Sequence, residues 1–447
     1  MHSSNPYFHD QVHAMNVAAG STDKQPATDR LVSLDQFRGY TVAGMFLVNY
    51  FSHSDVCPQV LRHTHDYVSY ADTIMPQFLF AVGFSLRLTF GRRMQTQGSA
   101  AAYFRMIRRL LGLVLVSLVV YTVGARAATW QQLQTLGFWG AIADPLKHEW
   151  FQTLMHIAVT SFWILPVVHL SSRARWSWLI FSALLHVVLS YWFNFTWVNT
   201  NPSGIDGGPL GFLTWTIPAI IGTLACDVFV PSTAKLPSGA EHARPSMIKP
   251  LILSAVLMAL GYAFSCGTRL YDVPESQVTA LSQEKLASDP VLPTSERINA
   301  KLASGGWNAM LAEPPFVPPP HREFETVNGS KIRKWNSSDY RKWNYWMMSQ
   351  RGGTLSYLTF SAGFSLLIYV IFYVLGDIWR VQIPVFRTFG KNALLGYVLH
   401  SMVGSAVQPF VPKDAPHWYA YSALAVFFLI NWLILRSFEK QGMFPRV

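Results

Sequence analysis

The stretch ADTIMPQFLFAVGFSLRLTFGRR, residues 71–93, decides the architecture. No charged side chain stands between Asp72 and Arg87. At 1.5 Å per helical residue, the apolar run placed at 73–90 covers most of the roughly 30 Å of bilayer hydrocarbon. Its ends are unlike: an acid opens it, and Arg87, Arg92 and Arg93 close it. This is the pattern of a membrane span whose basic end stays in the cytoplasm.

The rest of the chain agrees. Its 447 residues are 51% hydrophobic and 14% aromatic, and only 13% are charged, against roughly 25% in a soluble protein. Runs of about 17 to 25 mainly apolar residues fall near 36–52, 73–90, 106–125, 150–170, 176–194, 210–230, 247–266, 354–376, 387–409 and 417–436. The expected fold is an all-α polytopic membrane protein of about ten transmembrane helices with one long extracytoplasmic loop. Gly83, Pro218 and Gly396 interrupt the runs, which is tolerated where neighbouring helices satisfy the backbone.

Basic residues orient the spans. With the N-terminus inside, cytoplasmic segments hold 20 of the 35 Lys and Arg residues, and the short outer loops hold only Arg62, Arg126, Lys147 and Lys413. The other 11 lie in the 267–353 loop, which is too long to count. The net charge of +11 is read as this bias. No basic helix, zinc spacing or RNA motif accompanies it, so nucleic acid is not an expected partner. The chain divides into a disordered cytoplasmic tail (1–30), spans one to seven (31–266), the extracytoplasmic insert (267–353), spans eight to ten (354–436) and a cytoplasmic tail (437–447). The first 30 residues lack the apolar core of a signal peptide, so the first span is expected to direct insertion.

Cys57, Cys226 and Cys266 lack CxxC spacing and a nearby His pattern, so no metal is expected. Cys57 and Cys266 both fall on the outer side and are the pair that could bond. In the insert, PPFVPPP at 314–320 excludes a continuous helix. Farther on, KIRKWNSSDYRKWNYWMM interleaves aromatics with charges; Trp343 and Trp346 suit stacking on a sugar, or belong to an interfacial aromatic belt.

Polar groups then sort by depth. His63, His65, Asp66 and Asp72 crowd the outer edge of span two, and Asn49 lies near the outer end of span one. His148, Gln152 and His156 follow one another at i, i+4 and i+8 at the outer start of span four. His400 lies about 20 Å into span nine by helical rise from Arg387, and Asn392 lies close to the inner face. Ionisable groups at such depths mark a substrate path, a proton relay or a satisfied structural pair. Asp35 and Arg38 at the inner start of span one read as an i, i+3 ion pair.

SLDQFRGYTVAGMFLVNYF followed by ADTIMPQFLFAVGFSL resembles the opening of the heparan-alpha-glucosaminide N-acetyltransferase family and its bacterial relatives. There a D-x-x-R-G span ending in V-N precedes a loop His and then D-x-x-x-P-x-F-x-F-x-x-G. The likeness recurs in GPLGFLTWTIPAIIGTLACD at 208–227, GTLSY at 353–357 and GKNALLGYVLH at 390–400. The resemblance implies acetyl transfer from cytoplasmic acetyl-CoA to an amino sugar or glycan across the membrane. The family's loop His maps to His63, nine residues before Asp72, with His65 a second candidate. The family's Asn at the end of the first span maps to Asn49, its Asp at the start of the second to Asp72, and its Asn and His in the ninth to Asn392 and His400.

The residue types suit that chemistry. A histidine can take a proton from the acceptor or carry the acyl group, Asp72 can orient it, and Asn49 can bond a carbonyl oxygen as charge develops. Arg92, Arg93, Arg105, Arg108 and Arg109 form a basic inner cluster that either docks the phosphates of CoA or sets topology and contacts lipid. Gln152 and His156 are candidates for the acceptor side. The expected setting is a bacterial inner membrane with both termini cytoplasmic. Its partners are membrane lipid, acyl-CoA and an extracytoplasmic glycan or amino sugar, with a homodimer allowed. Three rivals stay open: an O-acyltransferase of a surface polysaccharide, a secondary transporter, for which the halves show no repeat, and a non-catalytic envelope binding protein.

Overall fold

The computed structural model describes residues 31–200, 202–230, 245–278, 292–319, 324–327, 330–333 and 339–444. The tail assigned to 1–30 lies outside the described residues. Apolar runs become helices: α1 (Val32–Phe51), α2 (Ile74–Gln97), α3 (Ser99–Val120), α4 (Trp130–Asp144), α5 (Thr153–Ile164), α6 (Ser172–Leu189), α7 (Phe212–Phe229), α8 (Ile248–Cys266), α9 (Leu355–Tyr373), α10 (Pro384–Lys391), α11 (Ala393–Val407) and α12 (His417–Lys440).

Helices stand at all ten expected positions, but among the described residues six are long and apolar enough to cross a membrane: Ala71–Gln97, Ser172–Asn199, Gly208–Phe229, Ile248–Tyr271, Leu355–Ile378 and His417–Lys440. The other four fall short in different ways. Near its start α1 carries Asp35, Gln36 and Arg38, and α3 carries Arg105, Arg108 and Arg109. Helix α5 has only 12 residues. The ninth run is broken at Asn392 into α10 and α11. Six apolar helices in one chain make this an integral membrane protein.

Burial separates centre from periphery. In the most apolar stretch of Gly208–Phe229, 83% of residues are buried within the protein, against 22% in His417–Lys440. Helices α2, α7 and α9 form the core, while α6, α8 and α12 turn residues such as Leu184, Val256 and Leu429 outward. In a membrane, helices this apolar gain little from hiding from lipid, so close packing must hold them. Three crossings use reciprocal glycines. A Cβ on Gly83 would lie 1.9 Å from the Ala219 carbonyl oxygen, and one on Gly222 2.1 Å from that of Phe80, so α2 and α7 meet backbone to backbone. Gly39 and Gly390 do the same for α1 and α10, and Gly261 and Gly363 for α8 and α9.

Segments assigned to one face meet there. At one end Arg87 and Arg175 both pair with Asp227, and Lys391 pairs with Glu439 at 2.8 Å. At the other end Asp55 N–H donates to the Lys413 carbonyl at 2.8 Å, and Phe316 N–H to that of Val68 at 2.8 Å.

The insert departs from the all-α expectation. It carries an antiparallel sheet in the order β1-β4-β3-β2, with β1 Asp272–Pro274, β2 Phe324–Val327, β3 Ser330–Arg333 and β4 Asp339–Arg341. The register sets Asp272 opposite Arg341, and the buried Arg341 guanidinium bonds Asp272 and Glu313. No helix forms at Pro314–Pro319; Phe316 there packs its ring on Phe360 and Phe364 of α9. The expected Cys57–Cys266 bond is absent. All three cysteines are free, because Cys57 is buried with Phe51 and Ala420 while Cys266 ends α8.

Candidate active site

Helix α1 ends at Phe51, and the chain then folds back on itself: Tyr70 N–H donates to the Val60 carbonyl at 2.9 Å. This loop sets His63 beside Asp72 at the start of α2. His63 Nδ1 lies 3.0 Å from Asp72 Oδ1. The same carboxylate accepts from Thr64 N–H at 3.3 Å, Thr64 Oγ1 at 3.0 Å, Ser69 N–H at 3.0 Å and Ser69 Oγ at 2.9 Å. Tyr357 of α9 donates to the Asp72 carbonyl at 2.5 Å and fixes its backbone. Held by so many donors, Asp72 acts on His63 as an acceptor. The imidazole therefore keeps its proton on Nδ1 and presents Nε2 as a base.

His63 leaves 41% of its side chain accessible and lines a cavity of about 140 Å³. Asn49, Gln152, Asp206, Gln350 and Tyr397 supply its polar wall. Asn49 Nδ2 is 3.1 Å from His400 Nε2, and His400 Nδ1 is 2.5 Å from the Tyr397 carbonyl oxygen. A carbonyl only accepts, so Nδ1 of His400 carries its proton, Nε2 accepts, and Asn49 donates. The second N–H of Asn49 remains for another acceptor. On the same wall Tyr397 shares a hydroxyl–hydroxyl bond with Tyr121.

Asp206, Gln350 and Tyr397 were not among the residues singled out by the sequence. Asp206 is 98% buried by its 2% exposure and accepts from Gln350 Nε2 at 3.0 Å. Its backbone has φ 53°, followed by Gly207 at 82° and Gly208 at 60°. Asp tolerates the left-handed region better than most residues, and such backbone clusters at functional sites. The loop has no room to relax, since a Cβ on Gly211 would lie 2.1 Å from the Asp206 carbonyl oxygen. The signal was the D-G-G turn just before an apolar helix, a carboxylate placed where a turn alone would serve.

The electrostatics couple the two sides of the cavity. Burial alone would lower the pKa of His63. The bond and charge of Asp72, the charge of Asp206 and a bond to Gln350 outweigh it, and the pKa stands above 6.5. Burial pushes the Asp206 carboxyl up to about 7, against the opposing bond from Gln350 and charge of His63.

The other candidates scatter. His65 faces the Trp343 ring, centroids 6.4 Å apart, and neither lines the cavity. Trp346 packs on Phe264 and Tyr345 at the end of α8, away from the cavity. The expected His148, Gln152, His156 stripe is not one helical face: a π-turn spans Pro145–Glu149, and Gln152, with φ −108° and ψ −170°, lies outside the α5 helix that follows it. Gln152 reaches the cavity; His156 is buried between Phe151 and Trp215. Arg92, Arg105, Arg108 and Arg109 are exposed and Arg93 is half-buried at the opposite end of α2 and on α3. Twenty helical positions, about 30 Å, separate Asp72 from Arg92. Asn392 is buried at the α10–α11 break, and neither amide atom has a hydrogen-bond partner among the described residues. Among the described residues no group of His, Cys, Asp and Glu could hold a metal ion.

Compared with known proteins, residues 30–260 match the family model described as heparan-alpha-glucosaminide N-acetyltransferase, catalytic. Asn49, His63, Asp72, Gln152 and Asp206 lie inside that match; Gln350, Tyr397 and His400 lie beyond it. No curated protein matches the chain.

Proposed function

Because the chain belongs to the heparan-alpha-glucosaminide N-acetyltransferase catalytic family, we propose that it moves an acetyl group from cytoplasmic acetyl-CoA to an amino sugar on the opposite side of the membrane. The observation that carries this reading is the His63–Asp72 pair on a cavity that also holds Asn49, Asp206 and Gln350. The far end of the bundle bears the arginines, which suit the phosphates of the donor. Between the two ends lie the unpartnered amide of Asn392 and the His400–Asn49 bond, polar stations along a path through α11. The residues present thus fit a long donor whose charged end stays on the basic face.

In the reaction, His63 Nε2 takes a proton from the acceptor amine as its nitrogen attacks the thioester carbonyl. The remaining N–H of Asn49 bonds the carbonyl oxygen as charge develops there. The C–N bond forms, the C–S bond breaks, and the protonated His63 returns its proton to the departing thiolate. Asp72 keeps the ring in the required tautomer and stabilises its charged form.

The test is transfer of labelled acetyl from acetyl-CoA to glucosamine by the purified protein in lipid nanodiscs. His63→Ala should cut kcat by about 10²-fold or more while binding CoA as the parent does. Near-normal turnover of that variant would refute the mechanism; loss in His65→Ala instead would move the base to the other histidine.

A further inference from the structure

None of the 15 residues of α4 is buried. Trp130, Phe138 and Trp139 are 71%, 71% and 73% exposed, and Leu133 and Leu136 are 39% and 40% exposed. In its first half Trp130, Leu133 and Leu136 share one face by their spacing, and glutamines hold the other. Gly137, at φ 70°, breaks the helix, and the second half is apolar up to Asp144. A capping box of Thr129 and Gln132 starts α4 from within its own sequence.

A helix of about 15 residues is marginal in water by itself. This one therefore needs something to cover its apolar face, and the described residues offer nothing. Two observations say what does. The face continues the outward side of α3, where Leu115 and Val119 are 65% and 75% exposed just before that helix ends at Val120. The segment is also uncharged between Arg126 and Asp144, and Arg126 itself is engaged by Asp144 at 2.8 Å and Glu149 at 3.3 Å. Trp, Phe and Leu on a neutral helix suit the boundary between headgroups and acyl chains. Both roots of the segment reach the cavity of His63. Tyr121, which follows α3, bonds Tyr397 on the cavity wall and accepts from Leu154 N–H at 3.3 Å, and Gln152 lines the cavity. We propose that α4 lies in the membrane–water interface on the His63 side, its aromatic face seated in lipid, and holds that cavity wall at the level of the headgroups. The inference concerns lipid contact and does not rest on acetyl transfer.

The test places Trp139→Cys and Gln131→Cys singly in the full-length protein lacking Cys57, Cys226 and Cys266, each labelled with nitrobenzoxadiazole. The nanodiscs are phosphatidylcholine, because α4 presents no cation to an anionic lipid. Bromine on the upper acyl chain should quench the label at 139 at least about twofold more than the label at 131, and more than bromine near the chain end does. Phe138→Cys should repeat the result, so that one misfolded variant does not decide it. Equal quenching at 139 and 131 overturns the proposal, as does an absence of quenching at 138 and 139. Stronger quenching from the chain end places α4 in the hydrocarbon and also overturns it. Disulfide cross-linking between two Trp139→Cys protomers assigns the face to a second copy of the chain, with the same consequence.

Discussion

Asp206 changes how the histidine pair works. A base must be neutral to accept a proton, so the acid limb of kcat/KM follows the pKa of His63, which stands above 6.5 in part because of the Asp206 charge. Asp206→Asn removes that charge and the limb should move to lower pH; a profile from about pH 5 to 9 measures it. A limb that stays in place would show that Asp206 does not sense His63. With Asp206 near 7, the two groups exchange influence across the working range, and the limbs belong to the pair. At this scale the sequence was informative where a residue sat inside a motif. The structure sets His63 3.0 Å from Asp72 and on one cavity with Asn49, and these are residues that stand at the ends of the first two apolar runs or in the loop between them. Asp206 and Gln350 were missed because they come from a turn and from the end of the insert, and only tertiary folding brings them within 3.0 Å of each other.

Among elements, the glycines of α2 offer an internal comparison. Gly83 has the Ala219 backbone against it, whereas nothing lies within 4 Å of a Cβ on Gly91. Gly83→Val should lower stability by about 1–3 kcal/mol or more by forcing α2 from α7. Gly91→Ala should leave it equal or raised by about 0.5–1 kcal/mol, the helix preference of alanine. Melting temperatures of the two variants in one detergent decide it, and equal destabilisation would mean the crossing is not what glycine serves. Helix positions were legible because runs of apolar residues need no partner to be recognised. Breaks were not. The π-turn at Pro145–Glu149 and the interruption at Asn392 depend on which neighbours can take over backbone bonds, and that is a property of packing. The sheet of the insert was hidden for a similar reason, since its four strands have at most four residues each and are joined through an Arg341–Asp272 pair distant in sequence.

For the whole molecule, the division of basic residues argues that the loop of His63 is extracytoplasmic and the turn at Arg93 cytoplasmic. Single cysteines at positions 63 and 93, in a background lacking Cys57, Cys226 and Cys266, should react with an impermeant maleimide on intact cells only at 63; reaction only at 93 would invert the topology. Orientation matters to the transfer proposed above, which requires a passage that does not leak. Transporters solve this by rocking one half against the other, a motion that requires helices to slide. Here three helix pairs touch through bare backbone, which has no side chain to ratchet and leaves little play. Those crossings make a stiff frame, so the proposed transfer calls on movement of side chains and not of helices. Tyr397, whose hydroxyl bonds that of Tyr121, is one such side chain on the wall of the His63 cavity. A frame of this kind does without the microsecond-to-millisecond rocking that alternating access requires.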